Sequence, residues 1–103
     1  MRKYRNTPTE VDGIRFASKR EAVRYSQLKL LERAGEISEL KLQPRYPLAV
    51  NAFHVCTYIA DFCYLDTSTG RVVTEDSKGV RTKDLIIKAK LFHAIYGREV
   101  QLI

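Results

Sequence analysis

Two strand-forming runs separated by a short turn constrain this chain more than any other feature. Residues 57–64 read Thr-Tyr-Ile-Ala-Asp-Phe-Cys-Tyr and residues 71–78 read Arg-Val-Val-Thr-Glu-Asp-Ser-Lys. Both are rich in β-branched or aromatic types, which favour strands. Between them Asp66, Thr67, Ser68, Thr69 and Gly70 make a turn composition. The spacing predicts a β-hairpin with Asp61 in the middle of its first arm. Side chains alternate along a strand, so Val72, Thr74, Asp76 and Lys78 share one face, and Val73, Glu75 and Ser77 the other. Asp76 and Lys78 then project side by side, Glu75 points away from them, and Asp61 comes close to Asp76 across the ladder.

Two carboxylates that close repel one another and lose ionisation unless a cation bridges them. Mg²⁺ meets that need, because it takes oxygen ligands in octahedral geometry, one or two of them carboxylates, and leaves room for water and phosphate. Asp61, Asp76 and the Ser77 carbonyl are the expected metal ligands. A metal there lowers the pKa of a water and stabilises the charge that builds on a phosphate. Lys78 would orient that water or neutralise the charge; as a base it would need a pKa well below its ordinary value near ~10.4. An Asp-x-Lys triplet also occurs as a solvated surface pair. Here the strand setting, the apolar neighbours of Asp61 and Gly79 directly after the lysine favour a site.

Upstream, Ser18-Lys19-Arg20-Glu21 is a capping box. It opens a helix through about Ala34, and Gly35 supplies the stop. Glu21 is open to two readings. It caps the helix, or it serves as an accessory acid, since Glu21, Tyr25, Leu28 and Glu32 lie on one inward stripe by their three-and-four spacing.

With these pieces together the chain resembles the PD-(D/E)XK nuclease superfamily, and within it the small phage-encoded endonuclease-like proteins related to Holliday-junction resolvases. The matching residues are Ser18-Lys19-Arg20-Glu21-Ala22, Leu42-Gln43-Pro44, Tyr58-Ile59-Ala60-Asp61-Phe62 and Glu75-Asp76-Ser77-Lys78-Gly79. Ala60-Asp61 stands where the motif name has Pro-Asp. The resemblance implies a restriction-endonuclease-like core, a mixed β-sheet flanked by two helices in the order helix, three strands, helix, strand. It also implies Mg²⁺ or Mn²⁺ dependence and hydrolysis of DNA. It casts Asp61 and Asp76 as metal ligands, Lys78 as the catalytic lysine and Glu21 as an accessory acid. Gln43, in the family-like Leu-Gln-Pro, is either a ligand of a metal-bound water or phosphate, or a strand-end amide satisfied by backbone.

The rest of the chain agrees with an α/β or α+β class. Val11-Asp12-Gly13-Ile14 is a hairpin signal. A strand-like piece covers 37–43 and ends at Pro44, and another runs from Pro47 to Phe53. Thr82 caps a second helix to about Tyr96, stopped by Gly97, and Glu99 to Ile103 form a last strand. Leu85, Ala89, Phe92 and Tyr96 share one face of that helix and belong to the core. With 103 residues the chain suits one domain over 9–103, preceded by a basic arm over 1–8. No apolar run approaches the ~18–20 residues of a membrane span, and the start of the chain lacks a signal-peptide stretch. A cytoplasmic protein is expected, in a bacterial host if phage-encoded.

A net charge of +6 suits a polyanionic partner. Arg2, Lys3 and Arg5 could track a DNA backbone. Arg81, Lys83 and Lys90 could touch phosphates or simply form a solvated face. His54, Cys56 and Cys63 offer three zinc-type ligands without a Cys-x-x-Cys pair, too few for a structural site. No phosphate-cradling glycine loop exists, so no nucleotide cofactor is implied. A homodimer would suit a branched DNA. The competing class is a catalytically silent nucleic-acid-binding module, or an adaptor, on the same fold.

Overall fold

The computed structural model describes residues 7–77 and 81–103. Its architecture is α+β, with two helices and a mixed four-stranded sheet. The elements in chain order are β1 (Thr9–Val11), β2 (Ile14–Phe16), α1 (Lys19–Arg33), β3 (Ile37–Leu42), β4 (Arg45–Val50), β5 (Phe53–Ile59), β6 (Phe62–Asp66), β7 (Arg71–Asp76), α2 (Lys83–Tyr96) and β8 (Val100–Leu102). Of the expected N-terminal arm, residues 1–6 lie outside the described residues.

Local signals explain most boundaries. The Asp12-Gly13 turn joins β1 to β2 with both residues left-handed, at φ 53° and 74°, as a two-residue hairpin demands. The Ser18 hydroxyl accepts from the Glu21 N–H at 3.2 Å and caps α1. Beyond its end Gly35 is left-handed, and the Glu36 N–H reaches the Leu31 carbonyl at 2.9 Å. Thr82 caps α2 through the Leu85 N–H, and Gly97 closes it in the left-handed conformation.

The main sheet runs β3-β6-β7-β8. β6 and β7 form the expected hairpin, with Phe62 opposite Glu75 and Asp66 opposite Arg71. β7 and β8 are parallel and joined through α2, the crossover that parallel pairing requires. The outer strand β3 carries a bulge: between the Ser38–Leu65 and Lys41–Cys63 pairs, Glu39 and Leu40 face the single Tyr64. Glu39 is left-handed there, at φ 55°.

Two expectations need correction. The run 57–64 is not one strand. Its first part belongs to β5, which pairs with β4 in a separate two-stranded sheet, and its second part to β6 in the main sheet. Nor is Pro47–Phe53 one strand: β4 starts at Arg45 and turns at Asn51-Ala52, both left-handed, so that Phe53 begins β5. The β-type composition was read correctly, but an apolar run carries no mark of where it changes partners.

The alternation along β7 sorts its side chains into two cores. Val73 packs with Phe16, Ala22, Tyr25, Leu28, Ile37, Phe62 and Tyr64 beneath α1. On the other face Leu48, Tyr58, Ala60, Leu85 and Phe92 form a second cluster beneath α2. Leu28, Leu48, Phe62 and Phe92 are fully buried, each contributing about 1.5–3 kcal/mol of hydrophobic stabilisation. Tyr96 stacks on Phe92 at 4.9 Å, while Ala89 is half-buried.

Candidate functional site

The site lies where the two sheets exchange the chain. Ala60, fully buried, still donates to the Pro44 carbonyl beside β4 at 3.2 Å. The next residue, Asp61, donates to the Glu75 carbonyl on β7 at 3.1 Å, and its own carbonyl accepts from the Gln43 N–H at 2.9 Å. Asp61 is therefore not mid-strand, as expected, but at the hand-over between β5 and β6. A small residue at position 60 lets the chain turn here without opening the second core.

Four carboxylates are buried: Glu21, Asp61, Glu75 and Asp76. Buried carboxylates are uncommon and require partners. Asp61 Oδ2 accepts from the Ser77 N–H at 2.7 Å and the Ser77 hydroxyl at 2.8 Å. Asp76 Oδ2 accepts from the Tyr58 hydroxyl at 2.7 Å. Burial, then the hydrogen bond to Asp76, then the charges of Asp76 and Asp61 all push the Tyr58 phenol well above its ordinary value. Both carboxylates thus bear on one phenol. The two acids bond to different donors at the strand ends, Asp76 to Tyr58 and Asp61 to Ser77.

Glu75 faces away from Asp76, as alternation requires, yet into a core rather than solvent. Its carboxylate takes two hydrogen bonds from Arg24 on α1, at 2.8 and 2.6 Å, and one from Tyr64. Burial and Glu75 together raise the Tyr64 phenol, and the hydrogen bond to Glu75 raises the Arg24 guanidinium. This cluster ties the end of β7 to α1, directly beside Asp76. Tyr58, Arg24 and Tyr64 were not singled out from the sequence. The available signal was the alternation itself, which sends Glu75 toward the helix and so calls for a cation there.

Glu21 sits buried at the first turn of α1. Gln43 contributes its backbone to Asp61, while the residue is exposed and left-handed at φ 50°. Lys83 and Lys90 are exposed on α2, and Arg81 reaches the Leu102 carbonyl at 3.5 Å. Lys78, Arg2, Lys3 and Arg5 lie outside the described residues. His54 bonds to Thr57 at 3.1 Å, Cys56 packs on the second core and Cys63 is buried.

Among the described residues no three His, Cys, Asp or Glu side chains stand together as metal ligands. The donors on offer are two buried carboxylates and the Ser77 carbonyl. An all-oxygen set of that size fits Mg²⁺, which binds few protein groups and fills the rest of its shell with water and phosphate. Two cavities open on this strand end. One, of about 340 Å³, is lined by Arg20, Val23, Arg24, Gln27, Ser77 and Ile103. The other, of about 270 Å³, lies against Tyr58, Asp76, Thr82, Asp84, Leu85 and Lys88. No helix among the described residues is long and apolar enough to cross a membrane.

Over residues 1–103 the chain matches the family described as "Protein of unknown function (DUF1064)". No curated protein and no solved structure matches it.

Proposed function

We propose that this chain, which belongs to the DUF1064 family, is a metal-dependent DNA endonuclease. The observation that carries the reading is the burial of two carboxylates at the end of β7, Asp76 held by Tyr58 and Asp61 by Ser77, the residue next to Asp76. Burying two acids at one strand end is unfavourable unless hydrogen bonds, opposite charge or a bound cation hold them, and a bound cation is what this reading adds. The element order supports the same reading. With the β1–β2 and β4–β5 hairpins set aside, α1, β3, β6, β7, α2 and β8 follow the helix, three strands, helix, strand order of the restriction-endonuclease-like core.

In this reading Asp61, Asp76 and the Ser77 carbonyl hold Mg²⁺ or Mn²⁺. When bound, the ion supplies Lewis acidity at the scissile phosphate and offsets its charge. The chain's own groups do the positioning. Tyr58 fixes Asp76, and the Ser77 N–H and hydroxyl fix Asp61. Lys78, next along the chain, orients the attacking water or balances charge at the phosphate, and Glu21 is the accessory acid. Water oxygen bonds to phosphorus, the bond to one sugar oxygen breaks, and that oxygen leaves with a proton. The substrate class is a branched replication or recombination intermediate, met in the cytoplasm, that of a bacterial host if the chain is phage-encoded.

The test is direct. Purified protein is incubated with plasmid, linear duplex, single strand and a synthetic four-way junction, in Mg²⁺, Mn²⁺ or EDTA. Cutting is expected only with metal, most on the junction, and it is expected to vanish in Asp61→Asn and Lys78→Ala while DNA binding persists. Salt-sensitive binding with no cutting of any of the four DNAs would replace the enzyme with a silent binding module.

A further inference from the structure

We infer that the cleft between α1 and the end of β7 carries the DNA backbone on one side of the cut, with Arg20, Arg24 and Gln27 as its contacts. This rests on the DNA reading of the site and specifies where the polymer lies.

Charge distinguishes this cleft from three other cavities that the described residues line. Its lining includes Arg20 and Arg24, the amide of Gln27 and no acidic side chain. Beside α2, Lys90 and His93 share a cavity with Glu99. In the cavity at Asp76, Lys88 is paired with Asp84 at 3.4 Å. The cavity near β3 holds Glu36 and Asp66. A polyanion is therefore drawn to the α1 cleft rather than to α2, where Lys83 and Lys90 were expected to serve.

The side chains are arranged to donate. Arg24 spends two bonds on Glu75, so its charge is largely matched. Its remaining Nη1 donates to Gln27 Oε1 at 3.1 Å, which leaves the Gln27 amide N–H groups as donors. Arg20 is exposed and forms no ion pair with another described residue, so it brings the cleft's unmatched charge. Arg20, Arg24 and Gln27 follow one helical face. From Arg20 to Gln27 the axis rises about 10 Å, the length of about three nucleotides at ~3.4 Å each. Exposed Val23, and Ile103 opposite, supply apolar walls for the sugars. Ser77, bonded to Asp61, also lines the cleft, so a strand lying in it passes beside the residue that holds Asp61.

The experiment measures binding of a fluorescein-labelled DNA duplex by anisotropy in EDTA, across a salt series, for wild type, Arg20→Ala, Arg20→Glu, Gln27→Ala and Lys90→Ala. Arg24 is left in place because its loss strands Glu75. Thermal unfolding checks that the exposed substitutions leave the fold intact. Arg20→Ala is expected to weaken binding several-fold and to lower the slope of log affinity against log salt by about 0.9, one phosphate contact. Arg20→Glu is expected to weaken it further, Gln27→Ala less, and Lys90→Ala not at all. Wild-type affinity in both Arg20 variants, or an equal loss in Lys90→Ala, would overturn the cleft. Because no metal is present, the outcome separates from cleavage. Arg20-dependent binding by a protein that cuts nothing keeps the cleft and removes the nuclease. Cutting with unaltered binding in the Arg20 variants does the reverse.

Discussion

At the scale of single residues, the buried acids divide into two kinds of partnership. Glu75 is held by a guanidinium that is itself one quarter exposed, with side-chain exposures of 25% for Arg24 and 3% for Glu75. Such a pair contributes little net stability while intact, but removing one member strands the other. Arg24→Leu is therefore expected to destabilise the fold by about 3 kcal/mol, the low end for breaking a buried pair because Arg24 still meets water. The double variant Arg24→Leu, Glu75→Leu should recover most of that loss in urea unfolding. Equal destabilisation in single and double variants would show that the pair is not coupled. Among the described residues, Asp76 accepts from the Tyr58 hydroxyl and Asp61 from the Ser77 hydroxyl and N–H.

At the scale of elements, the β4–β5 hairpin was the least legible part of the chain. Its base brings Tyr58 to Asp76, and its tip leaves Phe53 77% exposed. The turn at Asn51-Ala52 places an alanine at φ 63°, a conformation that glycine adopts far more readily. Ala52→Gly is expected to raise stability by up to about 1 kcal/mol, read as an upward shift in the unfolding midpoint; an unchanged or lower midpoint would argue against a strained turn. The same position explains why the turn escaped a reading from sequence, since Asn-Ala is not a hairpin signature and the strand composition on both sides runs on through it. Helices and their caps were legible because Ser18, Gly35, Thr82 and Gly97 act locally. The β6–β7 hairpin was legible for the same reason. The change of sheet at Ala60-Asp61 depends on which distant strand offers a partner, β4 before it and β7 after it. No pattern within the run itself encodes that choice. Of the candidate site, Asp76 was picked out by alternation and Asp61 by the expected hairpin and its apolar neighbours; Tyr58 and Arg24 reach the same strand end from elements whose placement is tertiary.

At the scale of the whole molecule, the buried phenols set a pH limit. Tyr58 and Tyr64 both hold their protons above the ordinary tyrosine value, chiefly through burial. In the unfolded chain a tyrosine ionises near ~10. Above that pH the folded state binds more protons than the unfolded one, so stability is intact below about pH 10 and falls as the pH rises further. Each such phenol adds a slope of about 1.4 kcal/mol per pH unit. Urea unfolding between pH 8 and 11.5 should show the decline, and Tyr58→Phe should flatten it; a flat profile in wild type would contradict the burial of these phenols.

The outer strands carry a consequence for self-association. A straight, complete rim invites a second chain to continue the hydrogen-bond ladder. Here one rim is kinked at Glu39 by the bulge in β3, and the other is β8, three residues long. Neither offers a template for sheet extension. If two copies of this protein pair to grip a branched DNA, they meet through their side-chain-bearing faces and loops, and the main sheet ends within each molecule.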